Sequence, residues 1–266
     1  MSAYCLYALP SDDKSVGATV TASAEDSGYV AANLAQGYDA NQNRPAKLTT
    51  TTGNWVFDLL SAQTIDYVAL IYHNLDAGLS VSIQGNASDS WGAPSLSQAI
   101  TIPAHHADGW PVNPFQALTG SRTFRYWRLL ISGTNSLTID LRRCLLLSTL
   151  RTFPADLRMG VRFSEMHRDL VEMTELGIDT VYDLGGKERM IDGDVPTRGT
   201  AATDFLTLRR TVNGRVQPWL FVPDSRVNDA WFVRFVDPTD SFSYQANSYY
   251  PHGFTVKEVA RGVPWP

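Results

Sequence analysis

Two adjacent histidines and an aspartate, His105-His106-Ala107-Asp108, are among the residues of this chain whose types could do chemistry, in this case metal binding. Successive side chains of an extended strand point to opposite faces, however, and a closed site needs further ligands of the right type. No metal is expected there. Asp192-Gly193-Asp194 matches part of a calcium loop but lacks the later bidentate Glu and the fuller Asp/Asn ladder, so it reads as a tight turn. Leu184-Gly185-Gly186-Lys187-Glu188 pairs glycines with a lysine. A phosphate-binding loop needs a longer spacing before its Gly-Lys pair and then Ser or Thr, whereas Glu188 follows here, which favours a hairpin turn. Neither a Gly-x-Ser-x-Gly elbow nor a His-Glu-x-x-His helix occurs. Carboxylate pairs of the glycosidase kind meet only in three dimensions, so the sequence gives catalysis no positive support. The expectation is a protein that is not an enzyme and uses no cofactor.

The elements that would position any such residue are mostly strands. From Asn54 to about Thr149 the apolar pattern has period two, as half-buried strands require. Leu79, Val81 and Ile83 alternate with Ser80, Ser82 and Gln84, and Leu137, Ile139 and Leu141 alternate with Thr138, Asp140 and Arg142. Ile65 to Tyr72 is apolar on both faces and reads as a central strand. Turn chemistry at Asp76-Ala77-Gly78, Gly85-Asn86 and Gly133-Thr134-Asn135 separates these runs, which together predict a sandwich or barrel. Trp55, Tyr126 and Trp127 are expected to be core packing, and Asp58 and Asp66 to close turns.

Near residue 152 the rhythm changes. Phe153-Pro154 interrupts strand pairing and charge density rises, which predicts a boundary between a domain at 1–151 and another at 152–266. Beyond it, Val161 and Phe163, then Trp231, Val233 and Phe235, again alternate as in strands. From Ala201 to Asn213, Phe205, Leu208 and Val212 instead fall at helical spacing, with Thr200 as a candidate N-cap and Gly214 just past the end. The fold class expected is therefore mainly β, a sandwich followed by a β-rich α+β domain with one helix near 201–213.

With 266 residues, 44% of them hydrophobic and 11% aromatic, the chain has ample material for such cores. Its formal charge of −5 divides into about −3 up to residue 150 and about −2 beyond, so neither half offers nucleic acid a cationic field. Cys5 and Cys144 are too few for a disulfide framework, although they would meet if the first and last strands of the first domain were neighbours. The opening Met1-Ser2-Ala3-Tyr4-Cys5 lacks the order of a signal peptide, and no run reaches the roughly 18 apolar residues of a membrane span. A reduced protein made in the cytoplasm is expected.

The order of several short motifs resembles the discoidin, or coagulation-factor-type C, domain. They are Ala22-Ser23-Ala24-Glu25-Asp26, Tyr29-Val30-Ala31-Ala32-Asn33-Leu34, Gly37-Tyr38-Asp39, Trp55-Val56-Phe57-Asp58-Leu59, Ile65 to Leu70, His73-Asn74-Leu75 and Arg125-Tyr126-Trp127-Arg128-Leu129. The resemblance covers roughly residues 15–150 and implies that the first domain is a galactose-binding-like jelly roll. It also makes Asp26 and Asp39 conceivable calcium ligands, which the residues themselves do not argue. The His-Asn-Leu wording, with Tyr249 to Val259 after the Trp231 strand, is similar to tail-tip and distal-tail-type proteins of tailed phages.

That second likeness implies an architectural role in a tail tip or baseplate, joining tube, hub and fibres. The protein would then sit in the virion tail after assembly in the host cytoplasm, with itself (as a ring or trimer) and other tail proteins as partners. Arg209, Arg210, Trp231 and Trp265 are the residues suited to such interfaces. The alternative implied by the first likeness is a carbohydrate-binding adhesin or host-recognition module. Trp91, between Ser90 and Gly92, and Trp110, between Gly109 and Pro111, are then candidates for stacking on a cell-surface glycan.

Overall fold

The computed structural model describes residues 5–38, 44–106, 111–120, 122–153, 162–166, 169–173, 179–183, 188–195, 200–213, 217–224, 228–236 and 252–259. In chain order the strands begin with β1 (Leu6–Ala8), β2 (Thr19–Ala22), β3 (Ala46–Lys47), β4 (Gly53–Thr64), β5 (Tyr67–His73) and β6 (Val81–Asn86). Then come β7 (Leu96–Ile100), β8 (Phe115–Ala117), β9 (Thr123–Ile131), β10 (Asp140–Leu147) and β11 (Arg151–Thr152). The remainder is β12 (Arg162–Met166), β13 (Asp169–Met173), β14 (Asp179–Asp183), β15 (Glu188–Val195), the helix α1 (Thr200–Thr211), β16 (Trp219–Val222), β17 (Trp231–Phe235) and β18 (His252–Glu258). The chain forms two compact units, Met1–Thr152 with Trp219–Trp231, and Phe153–Pro218 with Phe232–Pro266.

The first unit is a jelly-roll β-sandwich. One sheet runs β2-β4-β9-β6-β7 and the other β3-β10-β5-β8. Alternation along β4 sends Trp55, Phe57 and Leu59 into the core, while Asn54, Val56 and Asp58 stay half-buried on the outer face. In β9 the inward residues are Phe124, Trp127, Leu129 and Ile131. The three-residue step from Phe124 to Trp127 faces an irregularity in β4 between Asp58 and Gln63, where Leu60 adopts φ 65° and donates its N–H to Asp58. Gly85 on β6 is required by packing, since a Cβ there would run into the Phe124 ring. β5, expected to be central, lies between β10 and β8 and is buried from Val68 to His73.

One strand expectation needs correction. Leu137 and Ile139 precede β10 rather than belonging to it, and Leu137 is 47% exposed. The reason is the loop network around it. Asn135 donates to the carbonyls of Asn74 and Leu137, and Asp76 accepts from both the N–H and the hydroxyl of Ser136, so the backbone around Leu137 bonds to side chains, while Ile139 stays buried and bonds to the backbone of Leu48 and Thr50 outside the named strands. Tyr126, expected in the core, stands half-buried opposite Asp58, with Arg125 over its ring. Asp58 closes the bulge as expected but also grips Arg125 through two bonds of 2.7 Å, which hold its carboxyl below the ordinary range.

Residues 219–231 complete this unit from far along the chain. β16 pairs with β1, and Tyr7 packs edge-on against Trp219. Asn113 is the second attachment. Its side chain accepts from Tyr72 N and donates to Ala230 O, while its carbonyl accepts from Ala230 N. Cys5 and Cys144 are both buried and are not joined by a disulfide.

In the second unit, β17-β18-β15-β12 are successive neighbours and β13 pairs with β14. The helix buries Phe205, Leu208 and Val212, the stripe read from spacing. Phe205 meets Phe153, Phe235 and Phe254 with ring centroids 5.5–6.1 Å apart. Thr200 opens the helix, and Asn213, at φ 51°, follows its end, its N–H bonded to Arg210 O. The turn expected at Asp192-Gly193-Asp194 is instead the middle of β15, paired with Thr255, Phe254 and Gly253 of β18. Asp192 accepts from the Thr255 hydroxyl at 2.6 Å, so the ladder and this bond use groups that a turn would leave to solvent. Residues 184–187 lie outside the described residues. No helix among the described residues is long and apolar enough to cross a membrane.

Candidate functional site

Loop 87–95 joins β6 to β7 and is organised by Asn86 at its start. The Asn86 amide donates to Ser90 O at 2.6 Å, and its carbonyl oxygen accepts from Ala87 N and the Ser95 hydroxyl. That leaves a short, internally bonded loop from which Trp91 projects, half-buried. Its indole N–H donates to Asp89 Oδ1 at 2.6 Å. The Arg128 guanidinium lies over the ring, 4.6 Å from the centroid.

Arg128 is placed by strand alternation. Its neighbours Trp127 and Leu129 are buried in the sandwich, so it must point outward from β9, where Gln84 on β6 stands directly opposite. Gln84 Oε1 accepts from both Nε, at 2.7 Å, and Nη2 of Arg128. Burial pulls the Arg128 guanidinium below its ordinary pKa, and the charge of Asp89 partly offsets that. The result is an aromatic plate fixed at its edge by a carboxylate and on one side by a cation. The cation is itself held in place by Gln84.

The opposite end of the β6–β7 pair is arranged differently. There Gly78 N donates to Ile102 O, His105 Nε2 stands 3.0 Å from Leu75 O, and Asn74, Asp76 and Asn135 knit the adjoining loops. These side chains bond to neighbouring backbone. His106 Nε2 is 3.5 Å from Asp229 Oδ2, so the two histidines of the sequence motif have different partners. Among the described residues no group of three His, Cys, Asp or Glu could hold a metal ion. Asp26 uses one carboxylate oxygen on Gly28 N, and Asp39 lies outside the described residues.

Buried titratable groups nearby have structural partners. His73 is fully buried; Nε2 is 3.0 Å from Val112 O and Nδ1 accepts from Leu75 N. Burial lowers its pKa to about 4, and only the neutral Nε2–H tautomer satisfies both bonds. Asp13 accepts from Ser15, Leu146 N and the Tyr38 hydroxyl; burial raises its pKa, and the bonds from Ser15 and Leu146 offset part of the rise.

The structure thus joins Trp91 to Arg128, Asp89 and Gln84, none of which the sequence reading nominated. The signal was present for two of them, since Arg128 and Gln84 both occupy the polar phase of an alternating strand. Trp110 and Trp265 lie outside the described residues. Arg209 is only 3% exposed, with its guanidinium over the Phe235 ring, because its position four after Phe205 puts it on the helix's inward face. Trp231 is 8% exposed and donates its indole N–H to Asp229, while Arg210 is exposed. Of the described residues read as suited to an interface, Arg209 and Trp231 are buried and Arg210 is exposed.

No protein-family model and no curated protein matches the chain. Solved structures similar to it include a mutant of chitosan-binding module 1 derived from a chitosanase/glucanase of Paenibacillus sp. IK-5. It is 20% identical, with 51% of this chain and 98% of that one covered and a TM-score of 0.39. Others are the lectin domain of Lectinolysin complexed with Lewis B antigen (13% identity, 53% and 99% covered, TM-score 0.39) and the family 32 carbohydrate-binding module of C. perfringens NanJ in complex with galactose (9% identity, 55% and 99% covered, TM-score 0.39).

Proposed function

We propose that the first unit is a non-catalytic carbohydrate-binding module and that Trp91 is its stacking platform. The observation that carries this is the fixed indole: half-buried, tethered through N–H to Asp89 and backed by an Arg128 that Gln84 immobilises. A pyranose presents a patch of C–H groups that packs on an aromatic face, and its hydroxyls then need donors and acceptors around the ring's edge. An indole already locked in place loses little conformational entropy when a ligand stacks on it. A glycan array probed with the protein and with Trp91→Ala tests this. Specific binding that disappears in the variant, whose melting temperature is unchanged, supports the reading; binding unaltered by the substitution overturns it.

The tail-tip role is a proposal that rests on the His73-Asn74-Leu75 wording and on Tyr249 to Val259. It is compatible with glycan recognition if the module serves host recognition on the same particle. It requires a ring or trimer, and a stable monomer by light scattering would remove it.

A further inference from the structure

We infer that the Trp91 site selects electrically neutral sugars carrying a vicinal diol, against both acidic and amino sugars. This rests on the carbohydrate-binding reading and narrows it.

Two groups of opposite charge touch the same indole, and each retains hydrogen-bonding capacity. Asp89 is exposed and spends one carboxylate oxygen on Trp91 Nε1, which leaves the other as an acceptor. Arg128 commits Nε and Nη2 to a single neutral acceptor, Gln84 Oε1, which leaves Nη1 as a donor. Its charge is not consumed in an ion pair: among the described residues, Arg122, Arg125 and Arg151 each close on a carboxylate, and Arg128 does not. The Asn86 amide and carbonyl are spent on the loop, and Gln84 Nε2 is engaged with Ser97. Of the two charged groups at the ring, Asp89 is therefore the acceptor and Arg128 the donor.

A hydroxyl both donates and accepts. Adjacent hydroxyls on a pyranose can divide the work, one donating to Asp89 while its neighbour accepts from Arg128. With one negative and one positive group the site has no net charge to offer an ionised ligand. A uronic or sialic carboxylate on Arg128 would stand beside Asp89, and an amino sugar's ammonium on Asp89 would stand beside Arg128. A neutral diol meets neither repulsion.

The probes are methyl galactopyranoside and methyl mannopyranoside, the methyl glycoside of glucuronic acid, and glucosamine, titrated while the Trp91 indole N–H is followed by NMR. The neutral hexosides should shift that resonance, and the acid and the amine should bind about tenfold more weakly or worse. Asp89→Asn keeps an oxygen for the indole N–H but removes the charge, so the penalty on the acid should shrink by about tenfold. Should the uronic acid bind as well as the neutral sugars, the diol inference falls and the carbohydrate reading survives. If no sugar moves the Trp91 signal, both fall. An acid penalty unchanged in Asp89→Asn overturns the assigned role of that carboxylate.

Discussion

Replacing Asp140 by Asn should make the protein more stable at pH 8, although Asp140 takes part in an ion pair. Asp140 opens β10, is 1% exposed, and neither of its carboxylate oxygens accepts a well-aligned hydrogen bond among the described residues. Lys47 Nζ stands 3.2 Å from Oδ2, yet a quarter of the Lys47 side chain is exposed and its charge is shared with the Tyr29 ring at 4.0 Å. Burial outweighs this attraction and raises the carboxyl pKa from 3.8 to about 6. Because the folded value lies above the unfolded one, the folded state holds the proton more tightly. The associated stability is complete below pH 3.8 and is lost as pH rises through about 6. Two pKa units correspond to about 3 kcal/mol, so the ionised carboxylate costs up to ~3 kcal/mol at pH 8. Asn keeps the shape and discards the charge, and Lys47 can turn its ammonium toward water. Urea unfolding at pH 8 and pH 4 measures the effect: a gain of about 1–3 kcal/mol at pH 8 and little change at pH 4 are expected. A variant that is less stable than the parent at pH 8 would refute the reasoning, since the Lys47 ion pair would then outweigh desolvation.

His73 acts in the opposite sense. Its folded pKa, lowered by burial to about 4, means that stability present above pH 6.5 is lost as pH falls toward 4, and an NMR titration should find its ring neutral down to about pH 4. Between about pH 6 and 4 this loss partly cancels the Asp140 gain, so the measured pH profile should be flatter than either group alone dictates. Phe205→Ala removes a fully buried ring that touches Phe153, Phe235 and Phe254 and should cost about 3–5 kcal/mol by chemical unfolding. Asn113→Ala leaves Tyr72 N and Ala230 O without that partner and should destabilise by about 1–3 kcal/mol, with hydrogen exchange accelerated at Tyr72 and along 228–230.

Much of the architecture was legible because strands and helices carry their own period. Val81 and Ile83, the doubly buried β5, and the Phe205, Leu208 and Val212 stripe could all be read from neighbours a few residues away. The same local rule misplaced Leu137, which is exposed, although it put Ile139 in the core correctly. Alternation there is real, but Asn135 and Asp76 take up the backbone groups of Leu137 and Ser136 from the side, and the strand begins only at Asp140. Asp192 to Asp194 looked like a turn from composition, and β18 made it a strand.

The site divides in the same way. That Trp91 sits in a turn-rich stretch, and that Arg128 faces outward between two buried residues, are consequences of local chemistry and the two-residue repeat. That Arg128 covers this particular indole, and that Gln84 holds it there, depends on β9 pairing with β6 in one register. A shift of a single residue would turn Arg128 inward, and no short stretch of the chain encodes that register. The return of residues 219–231 to the first unit is of the same kind. Asn113 and Ala230 become partners only when a distant segment is brought back, and the gain from satisfying those buried polar groups exists only in the folded chain.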